Sequence, residues 1–168
     1  KKAVENIKNF IVKNKGDIDK SLLTVDWHPY KHCSFKKYGG TWPSHCVQYS
    51  IGACIEPKLL KLIQSLDIPY EVCHKGEIEY REQYGAFEEI EFVNDELVPH
   101  FYFDSLYTAD ANTEFVICGI AGDYCVKETI NNLMNYGITP KVFLNGVASI
   151  DEGTTLNKLI ENYELKVL

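Results

Sequence analysis

Cys125 sits in the stretch CGIAGDYCVKET (residues 118–129), where Gly119, Gly122 and Asp123 make a tight turn between an apolar run and a helix-like run. A thiol on the first turn of a helix meets outward-pointing backbone N–H groups and the positive end of the helix dipole, which favour the thiolate. The same N–H groups can hold an oxyanion as a carbonyl is attacked. The pattern places Cys125 at N1 to N3 of the helix, with Asp123 as N-cap. The chemistry this suits is nucleophilic attack by sulfur. Position alone does not decide it, because free cysteine is more often simply buried. Burial is the expectation for Cys118 and Cys54.

Two further groups have reactive side chains. Lys75 follows Cys73 on an apolar strand, with Gly76 behind it. A lysine at the mouth of a parallel sheet can lower a thiol pKa or pin a carboxylate. His74 alternates to the opposite face and is given no role. Asp26 and His28, two apart in VDWHPYKHCSF, project to one side if the strand continues, and His45 returns in GGTWPSHCVQ after Gly39 and Gly40. One carboxylate and two imidazoles with open positions is a common transition-metal arrangement, suited to zinc, iron or manganese. His32 is left open between a fourth ligand, an outer residue and a loop residue.

These groups must be positioned by secondary structure. Val4, Ile7, Phe10 and Ile11 recur at helical spacing over residues 1–15, stopped by Gly16. SLLTV (21–25) reads as a strand ending at Asp26, PKLLKLIQSL (57–66) as an amphipathic helix opened by Pro57, and PYEVCHK (69–75) as a strand ending at Lys75. Residues 76–112 read as a polar flap with EIEFV as an edge strand. Beyond it come a strand at 114–120, a helix at 123–136 ended by Gly137, a strand at 141–144, a helix at 154–163 and a closing strand LKVL. Strands alternating with helices predict a mostly parallel sheet covered on both faces. In such a sheet the working residues lie beyond the carboxyl ends of the strands, where Asp26, Lys75 and the turn before Cys125 all fall.

Composition narrows the class. The chain of 168 residues predicts one domain, 1–168, and its 45% hydrophobic and 24% charged residues are globular values. A formal charge of -7 argues against nucleic acid or an anionic membrane as partner. No apolar run reaches membrane-spanning length. The six cysteines contain no CxxC pair and read as reduced cytoplasmic thiols, with a secreted disulfide framework the lesser alternative.

DWHP..HCSF, GGTWPSHCVQ, KG followed by YGAF, and GIAGDYCV occur in the order seen in nicotinamidases, and along its whole length the chain resembles these cysteine hydrolases of the isochorismatase-like superfamily. The resemblance implies a three-layer α/β/α fold and hydrolysis of nicotinamide to nicotinate and ammonia, with pyrazinamide as a further substrate. It makes Cys125 the nucleophile, leaving a thioester that metal-activated water hydrolyses, and Lys75 the catalytic lysine. It makes Asp26, His28 and His45 ligands of a divalent metal, Zn2+ before Fe2+ or Mn2+. Trp42 matches the residue packing on the substrate ring, and Tyr84 lies in the motif approaching the pocket. Ile120–Ala121 matches a peptide that is cis in the family, and the N–H groups of Ala121 and Cys125 match its oxyanion hole. The implied place is the cytoplasm and NAD salvage, with homo-oligomerisation open.

One departure stands against this pattern. The family's third catalytic residue, an aspartate ending the first strand in an Asp-x-Gln-x-Asp-Phe stretch, has no counterpart, since Asp26 is assigned to metal and Asp17 and Asp19 are misplaced. The helix starting at Lys1 is the one that normally follows that strand. Without a central strand, buried edges would cost on the order of 1–3 kcal/mol per unsatisfied group. The expectation is a functional polypeptide extending upstream by a strand and a loop, roughly 15–30 residues. The alternatives are an amidase for a carbamoyl or ureido substrate, which has no reason to keep the ligand set, and an inactive metal-binding paralogue.

Overall fold

The computed structural model describes residues 1–93, 96–100 and 112–168. The chain separates into two compact units, Lys1–Tyr84 and Gly85–Leu168, each described by itself. Among the described residues, no helix is long and apolar enough to cross a membrane.

In the first unit, α1 (Lys2–Asn14) buries Ile7 and Ile11, the inward stripe of its four-residue spacing. Strand β1 (Ser21–Asp26) pairs in parallel with β2 (Tyr70–Lys75), and α2 (Pro57–Ser65) lies in the crossover between them. Pro57 opens α2, and the Glu56 side chain caps it by accepting the Leu59 N–H at 2.7 Å. Ile63 anchors the helix and is 1% exposed, a burial worth about 1.5–3 kcal/mol. The register matters most. It runs from Ser21 opposite Tyr70 to Asp26 opposite Lys75, so the two strands end together and present an acid beside a base.

The connection from Trp27 to Glu56 carries no long element but has its own small core. A 3-10 turn spans Lys36–Tyr38, and isolated bridges join His28 to Val47 and Phe35 to Trp42. Phe35 is fully buried and meets the rings of His28, His32 and His45 edge-on. Gly40 permits the fold of this loop, since a Cβ there would lie 2.1 Å from the Ser34 carbonyl group.

In the second unit, β3 (Glu89–Val93) pairs antiparallel with β4 (Glu96–His100). EIEFV is thus a strand, while residues 94–95 and 101–111 of the expected flap lie outside the described residues. Strand β5 (Val116–Ile120) pairs in parallel with β6 (Lys141–Ala148), with a register shift between Ile117 and Gly119. Helices α3 (Lys127–Asn135) and α4 (Thr154–Asn162) complete the unit, whose core is Val126, Ile130, Val142, Leu156 and Leu165. The closing LKVL contributes a single bridge, Val167 to Val142. Strand β6 outruns the expected 141–144. Asn145-Gly146 reads as a turn, but pairing of Gly119 with Val147 and Ile120 with Ala148 keeps the chain extended. Helices and parallel strand pairs make this an α/β fold, as expected.

Candidate active site

The first unit assembles the carboxylate and the imidazoles. Ligand atoms of Asp26, His28 and His45 all lie within 4.8 Å of one another. Asp26 ends β1, His28 follows two residues on, and the bridge from His28 to Val47 brings His45 back beside it. The tautomers follow from the neighbours. His28 Nδ1 faces the Gly76 carbonyl at 3.0 Å and His45 Nδ1 faces the Pro43 carbonyl at 2.9 Å. A carbonyl can only accept, so both Nδ1 atoms carry the hydrogen and both Nε2 lone pairs are left for a ligand. Burial, the largest influence, holds the His28 pKa below 6.5, which favours the neutral ring a metal requires. Two imidazoles that turn Nε2 outward and a carboxylate are a donor set that fits a divalent metal.

His32 falls outside that set. Its Nε2–H donates to the Arg81 carbonyl at 2.9 Å, and its Nδ1 accepts the Ser34 hydroxyl at 2.8 Å. The ring stacks on His28, centroids 4.1 Å apart and 28° from parallel. His28, His32 and Glu82 also approach one another closely, but both His32 nitrogens already serve protein partners.

Lys75 is 3% exposed, and its ammonium pairs with Asp26 Oδ1 across the register of β1 and β2. The strand-end lysine and the strand-end acid thus form one part-buried ion pair. Trp42 and Tyr84 also come together, the indole N–H donating to the Tyr84 hydroxyl at 2.9 Å. His74, given no role, stacks on Trp27 with centroids 4.4 Å apart.

Cys125 and Ala121 belong to the second unit. The Ile120–Ala121 peptide is cis, as the motif implied. The chain then enters a π-helical turn, Gly122–Val126, that runs into α3. Cys125 therefore lies within this wide turn rather than at N1 to N3 of an α-helix, and the Tyr124 and Val126 N–H groups turn back to the Ala121 carbonyl. Gly122 allows the turn to sit against β6, because a Cβ would lie 2.1 Å from Ser149 Oγ.

Asp123 is not the N-cap. Its buried carboxylate accepts the N–H groups of Ile150 at 3.0 Å and Asp151 at 3.2 Å, tying the turn to the loop after β6. Thr129 was missed from the sequence. Its hydroxyl donates to the Cys125 carbonyl at 2.7 Å and accepts the Ala86 N–H at 3.0 Å, while Asn132 donates to the Ala86 carbonyl at 2.8 Å. The four-residue step from Cys125 to Thr129 was a legible signal for the first contact. The remaining thiols separate by surroundings. Packing pushes Cys118 up to about 11, whereas Cys54, expected to be buried, is exposed.

No family model matches the chain. The nicotinamidase of Escherichia coli is 32% identical over 146 residues, covering 77% of this chain and 63% of that protein. The nicotinamidase of Saccharomyces cerevisiae is 28% identical, covering 89% of this chain and 77% of that one. The chain thus spans just under two thirds of the Escherichia coli relative's length. Among solved structures, the pyrazinamidase of Pyrococcus horikoshii in complex with zinc superposes with a TM-score of 0.73 at 25% identity, over 99% of this chain and 84% of that one. By these likenesses the chain is similar to nicotinamidases and shares the fold of the solved pyrazinamidase.

Proposed function

We propose that the protein hydrolyses nicotinamide to nicotinate and ammonia, with Cys125 as nucleophile and pyrazinamide as a second substrate. The observation that carries the reading is the Asp26, His28 and His45 cluster with both imidazole Nε2 atoms freed by carbonyl partners, a feature a carbamoyl amidase does not need. The relatives named nicotinamidases support it independently.

In this reading the Cys125 thiolate adds to the carboxamide carbon, forming a C–S bond. The negative charge on the former carbonyl oxygen is met by the N–H groups of Ala121 and Cys125. The C–N bond breaks, and ammonia leaves carrying the proton the thiol gave up. Water then adds to the thioester, the C–S bond breaks, one proton of that water returns to the Cys125 sulfur, and nicotinate departs with the other released to solvent. Lys75 is the second catalytic residue, held in one place by Asp26. Trp42 takes the face of the pyridine ring, and its bond to Tyr84 fixes the angle of the indole. Asp26, His28 and His45 would hold the metal, and we assign zinc, the ion in the Pyrococcus pyrazinamidase. Such an ion supplies Lewis-acid polarisation and lowers the pKa of bound water.

The cytoplasm is the compartment we assign from the sequence, whose six cysteines, without a CxxC pair, read more easily as reduced thiols than as a disulfide framework. The test sets substrates against one another. Purified protein should release ammonia from nicotinamide and pyrazinamide far faster than from N-carbamoyl or ureido compounds. Preference for a carbamoyl substrate moves the chain to another amidase class, and inactivity on all of them, with metal bound, makes it a metal-binding paralogue.

A further inference from the structure

We infer that Gly76 and Gln83 are positioning residues of the metal site, holding His28 as an Nε2 ligand, and that His32 supports the same ring by stacking rather than by ligation. The inference rests on the metal reading proposed above and assigns residues to which neither motif nor likeness gives a role.

Gly76 touches His28 in two ways. Its carbonyl accepts the His28 Nδ1–H at 3.0 Å, which selects the tautomer. Its missing side chain makes room for the ring, because a Cβ would lie 2.5 Å from His28 Cε1 and 2.6 Å from Nδ1. Gly76 also has φ of +67°, a region that side chains resist. Any substitution there must therefore move either the backbone or the ring. The Gly76 N–H in turn donates to Gln83 Oε1 at 3.1 Å, and Gln83 is itself buried. The glutamine thus fixes the peptide before Gly76, and the peptide after it presents the carbonyl that holds the histidine.

The same segment fixes the second imidazole. The Arg81 carbonyl accepts from His32 Nε2, and Ser34 donates to Nδ1, so the ring is locked at both nitrogens while its face supports His28. Ligation by His32 would require one of these bonds to break. Residues 76–83 therefore supply two carbonyls to two stacked rings and one side-chain amide to the backbone that carries the first of those carbonyls. That is the outer layer a ligating histidine needs, and losing such partners typically weakens metal binding by about 10–100-fold.

The test measures metal binding and needs no turnover. Zn2+ affinity is read by competition with a chromophoric chelator, and Co2+ absorption reports the ligand set. Metal-free thermal unfolding reports the fold. Gly76→Ala and Gln83→Leu should each weaken Zn2+ binding by about 10–100-fold, with the melting-point rise on adding Zn2+ reduced to match. Should Gly76→Ala fail to fold, Gln83→Leu alone decides the point. His32→Gln should weaken Zn2+ less than His45→Ala and leave the Co2+ spectrum unchanged. The inference is overturned if folded Gln83→Leu binds Zn2+ as the wild type does, or if His32→Gln alters the Co2+ spectrum and matches the loss in His45→Ala. A wild-type protein that binds neither ion overturns the metal reading as well, which separates the two failures.

Discussion

Replacing Asp26 by asparagine should destabilise the protein even in the absence of metal. The Lys75 side chain is 3% exposed, the Asp26 side chain 20%, and the register of β1 and β2 places them directly opposite each other. Asparagine keeps the shape of the acid but removes the negative charge that Asp26 sets against a buried ammonium. Removing one partner of a buried pair costs about 3–5 kcal/mol, a large part of the roughly 5–15 kcal/mol that holds a domain together. At about 2–4 °C per kcal/mol for a chain of this size, the melting point should fall by about 6–20 °C. The assays are thermal and urea unfolding with a chelator present, so that lost metal affinity does not enter. The double variant Asp26→Asn/Lys75→Met should regain most of the loss, because a methionine of similar volume needs no counter-charge. If Asp26→Asn costs less than about 1 kcal/mol, or Lys75→Met fails to restore it, the pair does not hold this sheet end together and the reasoning is refuted.

Three further outcomes follow from the geometry. Thr129→Val keeps the side-chain volume but leaves the buried Ala86 N–H without its acceptor, so the urea midpoint should fall by the equivalent of about 1–3 kcal/mol with an unchanged slope. Trp42→Phe removes the donor to Tyr84 and should raise KM for nicotinamide about fivefold, the equivalent of one hydrogen bond, with a smaller effect on kcat. Cys118 titrates at about 11 in the folded chain against an ordinary 9.0, so between those values the folded state keeps a proton the unfolded state has lost. Stability must then fall as pH rises from 9 to 11, by at most about 2–3 kcal/mol, and unfolding of Cys118→Ala over that range should lose this dependence.

Much of the site was legible because its residues lie where strands stop. Asp26 and Lys75 each close an apolar run, and the parallel register that sets them side by side follows from two strands joined by one helix. His28 and His45 were readable from residue type and from glycine spacing in the loop between them. Their partners were not. Gly76, Arg81 and Gln83 act through backbone carbonyls and one amide in a stretch without periodicity, so nothing in the sequence shows which atom faces which ring. Asp123 shows a different limit. A carboxylate before a helix satisfies a cap and a distant loop equally well, and only the path of residues 150–151 makes it a tie rather than a cap. The π turn around Cys125 hid for a related reason, since one wide turn disturbs the 3.6-residue pattern too little to be read. Cys54 was assigned to the interior on residue type alone, whereas a 3-10 turn at Ile51–Ala53 leaves it exposed.

The central claim is that sulfur does the chemistry, and ammonia release from nicotinamide by the wild type and by Cys125→Ala tests it most directly. The wild-type protein should release ammonia and the variant, equally folded by circular dichroism, should fall to the rate of the buffer alone. Turnover by Cys125→Ala at the wild-type rate would contradict the account, because no other thiol is offered by the turn that begins at Ala121.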